Sequence, residues 1–94
     1  MNMVNLLGEL TSTYWSTLVR YLKSKRKDLA WVEKNRSWLI RVIASGRKAC
    51  RSRSFDMLSP FYEALRENTE LGRLISIECR KVILAYRLNS PDTA

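Results

Sequence analysis

The segment Asn5–Ser24, NLLGELTSTYWSTLVRYLKS, decides the fold. Leu7, Leu10, Tyr14, Leu18 and Tyr21 or Leu22 recur at steps of three and four, the spacing that lines one face of an α-helix. Only three glycines and two prolines interrupt the 94 residues, and neither Asn-Gly nor Asp-Gly occurs. Hairpin signals are therefore absent and the chain reads as all-α.

Working outward, Trp15–Cys50 also fits a seven-residue template. Trp15, Leu22, Leu29, Ile43 and Cys50 occupy one seam position, Leu18, Val32 and Leu39 the other, and Lys25, Arg36 and Gly46 break the pattern. Asp28 can cap a helix that begins at Leu29, so the reading is two helices joined near Ser24–Asp28, with one long bent helix as the alternative. The run Arg47–Ser54 loses apolar periodicity after Gly46 and reads as a helix end or solvated connection. Ser59-Pro60 places a capping hydroxyl before a first-turn proline, which predicts a short helix from there to about Glu67 presenting Phe61, Tyr62 and Leu65. Asn68 ends it, and Thr69 caps a last helix carrying Leu71, Leu74, Ile75, Val82, Ile83 and Tyr86 up to Ser90-Pro91. Residues 89–94 read as a frayed tail. The expectation is one domain over residues 1–94, a bundle of about four helices.

A chain this short holds only a modest core, so self-association, most simply as a homodimer, is expected; Tyr14, Trp15, Tyr21, Trp31 and Trp38 are the aromatic surface for it. With two cysteines, Cys50 and Cys79, and no histidine, a tetrahedral Cys/His zinc site is out of reach, and no metal or other cofactor is expected. Both thiols fall on helical stretches and read as free, packed side chains, which points to an intracellular protein, cytoplasmic or nuclear. Met1–Gly8 lacks a signal-peptide pattern, and no window reaches the roughly 20 apolar residues of a membrane-spanning helix.

The charge is uneven. Residues 20–53 hold 12 of the 17 basic residues but only two of the nine acidic ones, Asp28 and Glu33. Arg20, Lys27, Lys34, Arg41 and Lys48 share one heptad position opposite the apolar seam; on one helix they would form a ridge about 42 Å long. Lys23, Arg26, Arg47 and Arg51 broaden it, and a second set, Arg66, Arg73, Arg80 and Arg87, is also spaced by sevens. An ordinary solvated face mixes both signs, so the local excess points to an extended polyanion. The expected function is RNA binding, RNA being favoured over DNA, by phosphate contacts from Arg20, Lys23, Lys27, Lys34, Arg41, Lys48 and Arg51, with Arg73, Arg80 and Arg87 as a secondary ridge. Trp31 and Trp38, also seven apart, flank the ridge and read as packing residues rather than as a base-stacking platform.

Catalysis finds no footing in the sequence: there is no histidine base and no Gly-rich phosphate loop, and Glu63, Glu67 and Glu70 have the spacing of solvated helix-surface charges. No RNP sequence, KH loop, zinc knuckle or helix-turn-helix signature occurs. In outline alone, a short basic chain with charged helix faces resembles the nodavirus silencing suppressors, which lay such faces along duplex RNA. That likeness implies a viral accessory role and assigns no residue. The rival readings are a protein-interaction adaptor and a peripheral binder of anionic membranes through Trp and Lys.

Overall fold

In the computed structural model of the chain, residues 3–52 and 55–88 are described, and they form five helices: α1 (Met3–Lys25), α2 (Leu29–Lys34), α3 (Arg36–Arg51), α4 (Phe55–Arg66) and α5 (Thr69–Leu88). No strand occurs among the described residues. The four long helices close a ring in which α1 packs on α3 and α5, and α4 packs on α3 and α5. Paired contacts run in opposite senses along neighbouring helices. Trp38 and Arg41 of α3 meet Ala64 and Glu67 at the end of α4, while Gly46 of α3 lies by Phe61. The product is an antiparallel bundle with α2 inserted in the α1–α3 connection, 51 Å long and 23 by 17 Å across.

Different capping chemistries set the helix ends. The turn after α1 closes when the Asp28 amide donates to the Lys25 carbonyl (2.9 Å), and the Asp28 carboxylate then accepts from the Trp31 amide (3.1 Å), as its place before Leu29 predicts. The break expected near Ser24–Asp28 is present and one long bent helix is not formed, but the stretch beyond it is divided again, into α2 and α3. A second break follows at Asn35, whose φ of −105° departs from helical geometry. Its backbone and side-chain amides both donate to the Trp31 carbonyl (3.0 and 2.8 Å), a competition that loosens the turn without ending the ladder, since the Leu39 amide still reaches the Asn35 carbonyl at 2.9 Å.

Three expected boundaries are corrected. First, α3 does end within the run Arg47–Ser54 but only at Arg51, so most of that run is helix and not a solvated connection; Gly46 and Ala49 are small residues buried in the bundle. Only Arg53 and Ser54 of the basic run, together with the tail 89–94, lie outside the described residues. Second, Ser59-Pro60 does not start α4: the helix begins at Phe55 and Pro60 sits inside it, exposed, where its ring points away from the core and its missing N–H removes one ladder bond. Third, the cap of α5 is Asn68, not Thr69. Its side-chain oxygen accepts from the Leu71 amide (3.1 Å), and its amide nitrogen donates to the Tyr21 hydroxyl (3.0 Å). One side chain therefore caps α5 and ties it to α1.

The core centres on Phe61, which is fully buried with Leu18, Leu58, Leu71 and Val42. The rings of Tyr14, Trp15 and Tyr62 lie around it, with centroids 6.4, 6.3 and 6.1 Å away. The seven-residue seam does not survive, since Leu29 is 77% exposed. A continuous seam needs one continuous rod, and the turn at 26–28 prevents it. Trp38, read as a packing residue flanking the basic ridge, is a core residue whose indole donates to the Ala64 carbonyl at 2.7 Å. Both thiols are free as expected, but only Cys79 is packed; Cys50 is exposed.

Candidate functional site

The fold redistributes the basic residues, because α1 and α3 turn back on each other instead of running on in line. The straight ridge through Arg20, Lys27, Lys34, Arg41 and Lys48 is therefore not formed: Arg20 belongs to α1, Lys27 to the turn, Lys34 to the last position of α2, and Arg41 and Lys48 to α3. Two of them are engaged by carboxylates. Arg41 makes a two-pronged bond to Glu67 (2.9 and 2.7 Å), which holds the Glu67 carboxyl below its ordinary range. Arg20 lies 3.9 Å from Glu78 and donates to the Thr17 hydroxyl at 3.5 Å, a loose exposed arrangement of little energetic weight.

Sequence spacing alone did not reveal the grouping that the fold makes. A groove between α1 and α3 is lined by Trp15, Leu18, Val19, Leu22 and Ile43, and around it stand Lys23, Arg26 and Arg47. The groove encloses about 320 Å³. Lys23 is on α1, Arg26 is in the turn, and Arg47 comes from α3, more than 20 residues later. Lys27 follows in the same turn, and Arg51 lies one helical turn beyond Arg47 on the same side of α3. None of these five cations has a carboxylate within ion-pair distance among the described residues. Lys48 is also unpaired, but it borders a different depression between α3 and α4 together with Glu63 and Glu67.

Both acidic residues of the basic segment, and Glu70 of α5, are occupied elsewhere. Asp28 caps α2, Glu33 lies 3.8 Å from Arg36, and Glu70 lies 3.4 Å from Lys25. The Lys25 ammonium also sits 5.5 Å above the Tyr21 ring and 5.8 Å above that of Trp31, so it is held by the bundle. Trp31 and Trp38 meet edge to face at 6.3 Å, and Trp38 is buried, which leaves it no face for a base. The secondary set divides as well: Arg66, Arg73 and Arg80 rim one depression of about 660 Å³ over Tyr14 and Tyr62, while Arg87 lies further along α5.

Comparison with protein-family models, with characterised proteins and with solved structures returns no match for the chain. Among the described residues no helix is long and apolar enough to cross a membrane.

Proposed function

We propose that this protein binds RNA through its phosphate backbone, using Lys23, Arg26, Lys27, Arg47 and Arg51 as the principal contacts and Lys34 and Lys48 as flanking ones. The observation that carries the reading is the α1/α3 groove, where cations from two helices and a turn converge with no acidic partner among the described residues. Side chains with no internal carboxylate can exchange their counterions for phosphates without first breaking an ion pair. Arg41 does not have that freedom, and Arg20 has it only in part. Contacts of this kind position a backbone and carry little base readout, which suits duplex RNA. A homodimer in the cytoplasm or nucleus, and a viral accessory role, belong to the same proposal.

The adaptor reading has one observation in its favour, the apolar side chains that α5 leaves exposed, among them Ile77 and Leu84. The two are separated by titrating the protein against duplex RNA, duplex DNA, single-stranded RNA and anionic vesicles at two salt concentrations. Tight, salt-sensitive binding to duplex RNA with weak vesicle binding supports the proposal. No RNA binding at low salt removes it and leaves the adaptor as the better account.

A further inference from the structure

Helix α5 has two apolar faces. Leu71, Ile75 and Cys79 are buried in the bundle, and Val82 and Tyr86 continue that row half-buried. On the opposite side Leu74, Ile77, Leu84 and Leu88 are 42, 53, 57 and 84% exposed. With Lys81 filling the gap, the positions 74, 77, 81, 84 and 88 alternate steps of three and four, the a and d positions of a heptad repeat. The first face builds the core, and the second leaves Ile77, Leu84 and Leu88 more than half exposed.

The charges beside this stripe say what covers it. Arg73, Arg80 and Arg87 each precede an a position and occupy the g sites, while Glu78 follows Ile77 and occupies an e site. In a parallel two-stranded pair a g residue faces the e residue five positions further along the other helix, which sets Arg73 against the partner's Glu78, twice by symmetry, in competition with the loose 3.9 Å approach of Arg20 to that carboxylate within each chain. In an antiparallel pair g sites face g sites and e sites face e sites, so Arg80 would meet the partner's Arg80 and Glu78 the partner's Glu78. Charge complementarity therefore selects the parallel, in-register arrangement. Lys81 agrees with it: one polar residue at an a position fixes register and strand number at a cost in affinity, and its ammonium already reaches Glu78 of its own helix at 3.4 Å. We infer that a second copy of this chain covers the stripe, the two α5 helices forming a short parallel coiled coil. The aromatic residues expected to mediate self-association do not supply this surface, since Tyr21 and Trp38 are buried and Tyr14, Trp15 and Trp31 are half-buried among other rings.

The test is sedimentation equilibrium of the full chain with three variants. Wild type should show a monomer–dimer equilibrium in the micromolar range, as a small interface gives. Leu84→Glu should abolish the dimer with unchanged helix content, because Leu84 is 57% exposed and lies outside the core of its own chain. Lys81→Leu should tighten the dimer about tenfold or more, by exchanging two facing ammonium groups for apolar contact. Lys81→Cys, in a Cys50→Ser background, should form an intermolecular disulfide on mild oxidation, which an a-site thiol reaches across a parallel seam. A wild type that stays monomeric to high micromolar concentration overturns the inference. So does a dimer indifferent to both Leu84→Glu and Lys81→Leu, or one in which the thiols introduced by Lys81→Cys fail to cross-link.

Discussion

Gly46→Ala probes the tightest approach in the bundle. A Cβ built on Gly46 lies 2.5 Å from Cζ3 and 2.7 Å from Cε3 of Trp15, and 3.0 Å from Cε1 of Phe61. Ordinary carbon contacts begin near 3.5 Å, so a neighbouring ring has to retreat by about 1 Å. Phe61 is fully buried and has nowhere to go. Trp15 is half-buried, and its movement opens the α1–α3 seam. Overpacking of this kind costs about 1–3 kcal/mol, against a gain of about 0.5–1 kcal/mol from replacing glycine inside a helix, so the net loss is about 1–2 kcal/mol. For a domain of this size that lowers Tm by about 5–15 °C in a melt followed by circular dichroism. Gly8 and Gly72 are internal controls: nothing lies within 4 Å of a Cβ at either, so alanine there should raise Tm by a few degrees. A Gly46→Ala protein as stabilised as the Gly72→Ala protein would refute the close approach of α1 to α3, and with it the groove.

Asn68→Ala removes both the α5 cap and the bond to Tyr21, and urea unfolding should show a loss of about 1–2 kcal/mol. Thiol labelling of the native protein should modify Cys50 first and Cys79 only on unfolding, since burial pushes both thiols up but only Cys50 is exposed to the reagent. The hydrogen bond from Arg41 depresses the Glu67 carboxyl, so the stability tied to this pair is complete above the ordinary carboxylate range and lost as pH falls through the depressed value. In Arg41→Gln, NMR titration should find Glu67 back near its usual value. Burial, reinforced by Cys79 and Tyr62, pushes the Tyr14 phenol up to about 12. Stability tied to the neutral phenol is therefore fully present below the ordinary tyrosine value and lost as pH rises towards 12. Burial also pushes the Tyr21 and Tyr62 phenols up, so absorbance titration should show several late phenols, of which Tyr14→Phe removes the last to ionise.

The helical class and the Asp28 cap were legible because both are local: apolar steps of three and four and a carboxylate three residues before an amide need no tertiary information. The end of α3 was not, because Gly46 reads as a helix breaker in isolation and becomes a packing residue only when Trp15 and Phe61 are brought against it. Pro60 misled for a related reason, since it sits exposed inside α4, where a proline costs one bond rather than the helix. The basic segment was visible as composition, but heptad spacing ordered it along a rod that the turn at 26–28 abolishes. Lys23 was among the expected contacts, but Arg26 and Arg47 only broadened that ridge, and the α1/α3 packing gathers all three. Nor could spacing show that Arg41 is held by a carboxylate 26 residues away.

The salt dependence of duplex RNA binding by the Lys23→Gln/Arg26→Gln/Arg47→Gln protein tests the central claim most directly. Each lost phosphate contact lowers the slope of log K against log salt by roughly 0.7 to 0.9, so three contacts should remove about two units or more. Arg41→Gln, which mainly releases Glu67, should change the slope by less than one such step. Helix content should stay at the wild-type level in both, since all four side chains lie at the surface of the bundle or on the rim of its groove. If the triple variant binds RNA with the wild-type affinity and slope, the α1/α3 face is a solvated surface and the RNA-binding account is wrong.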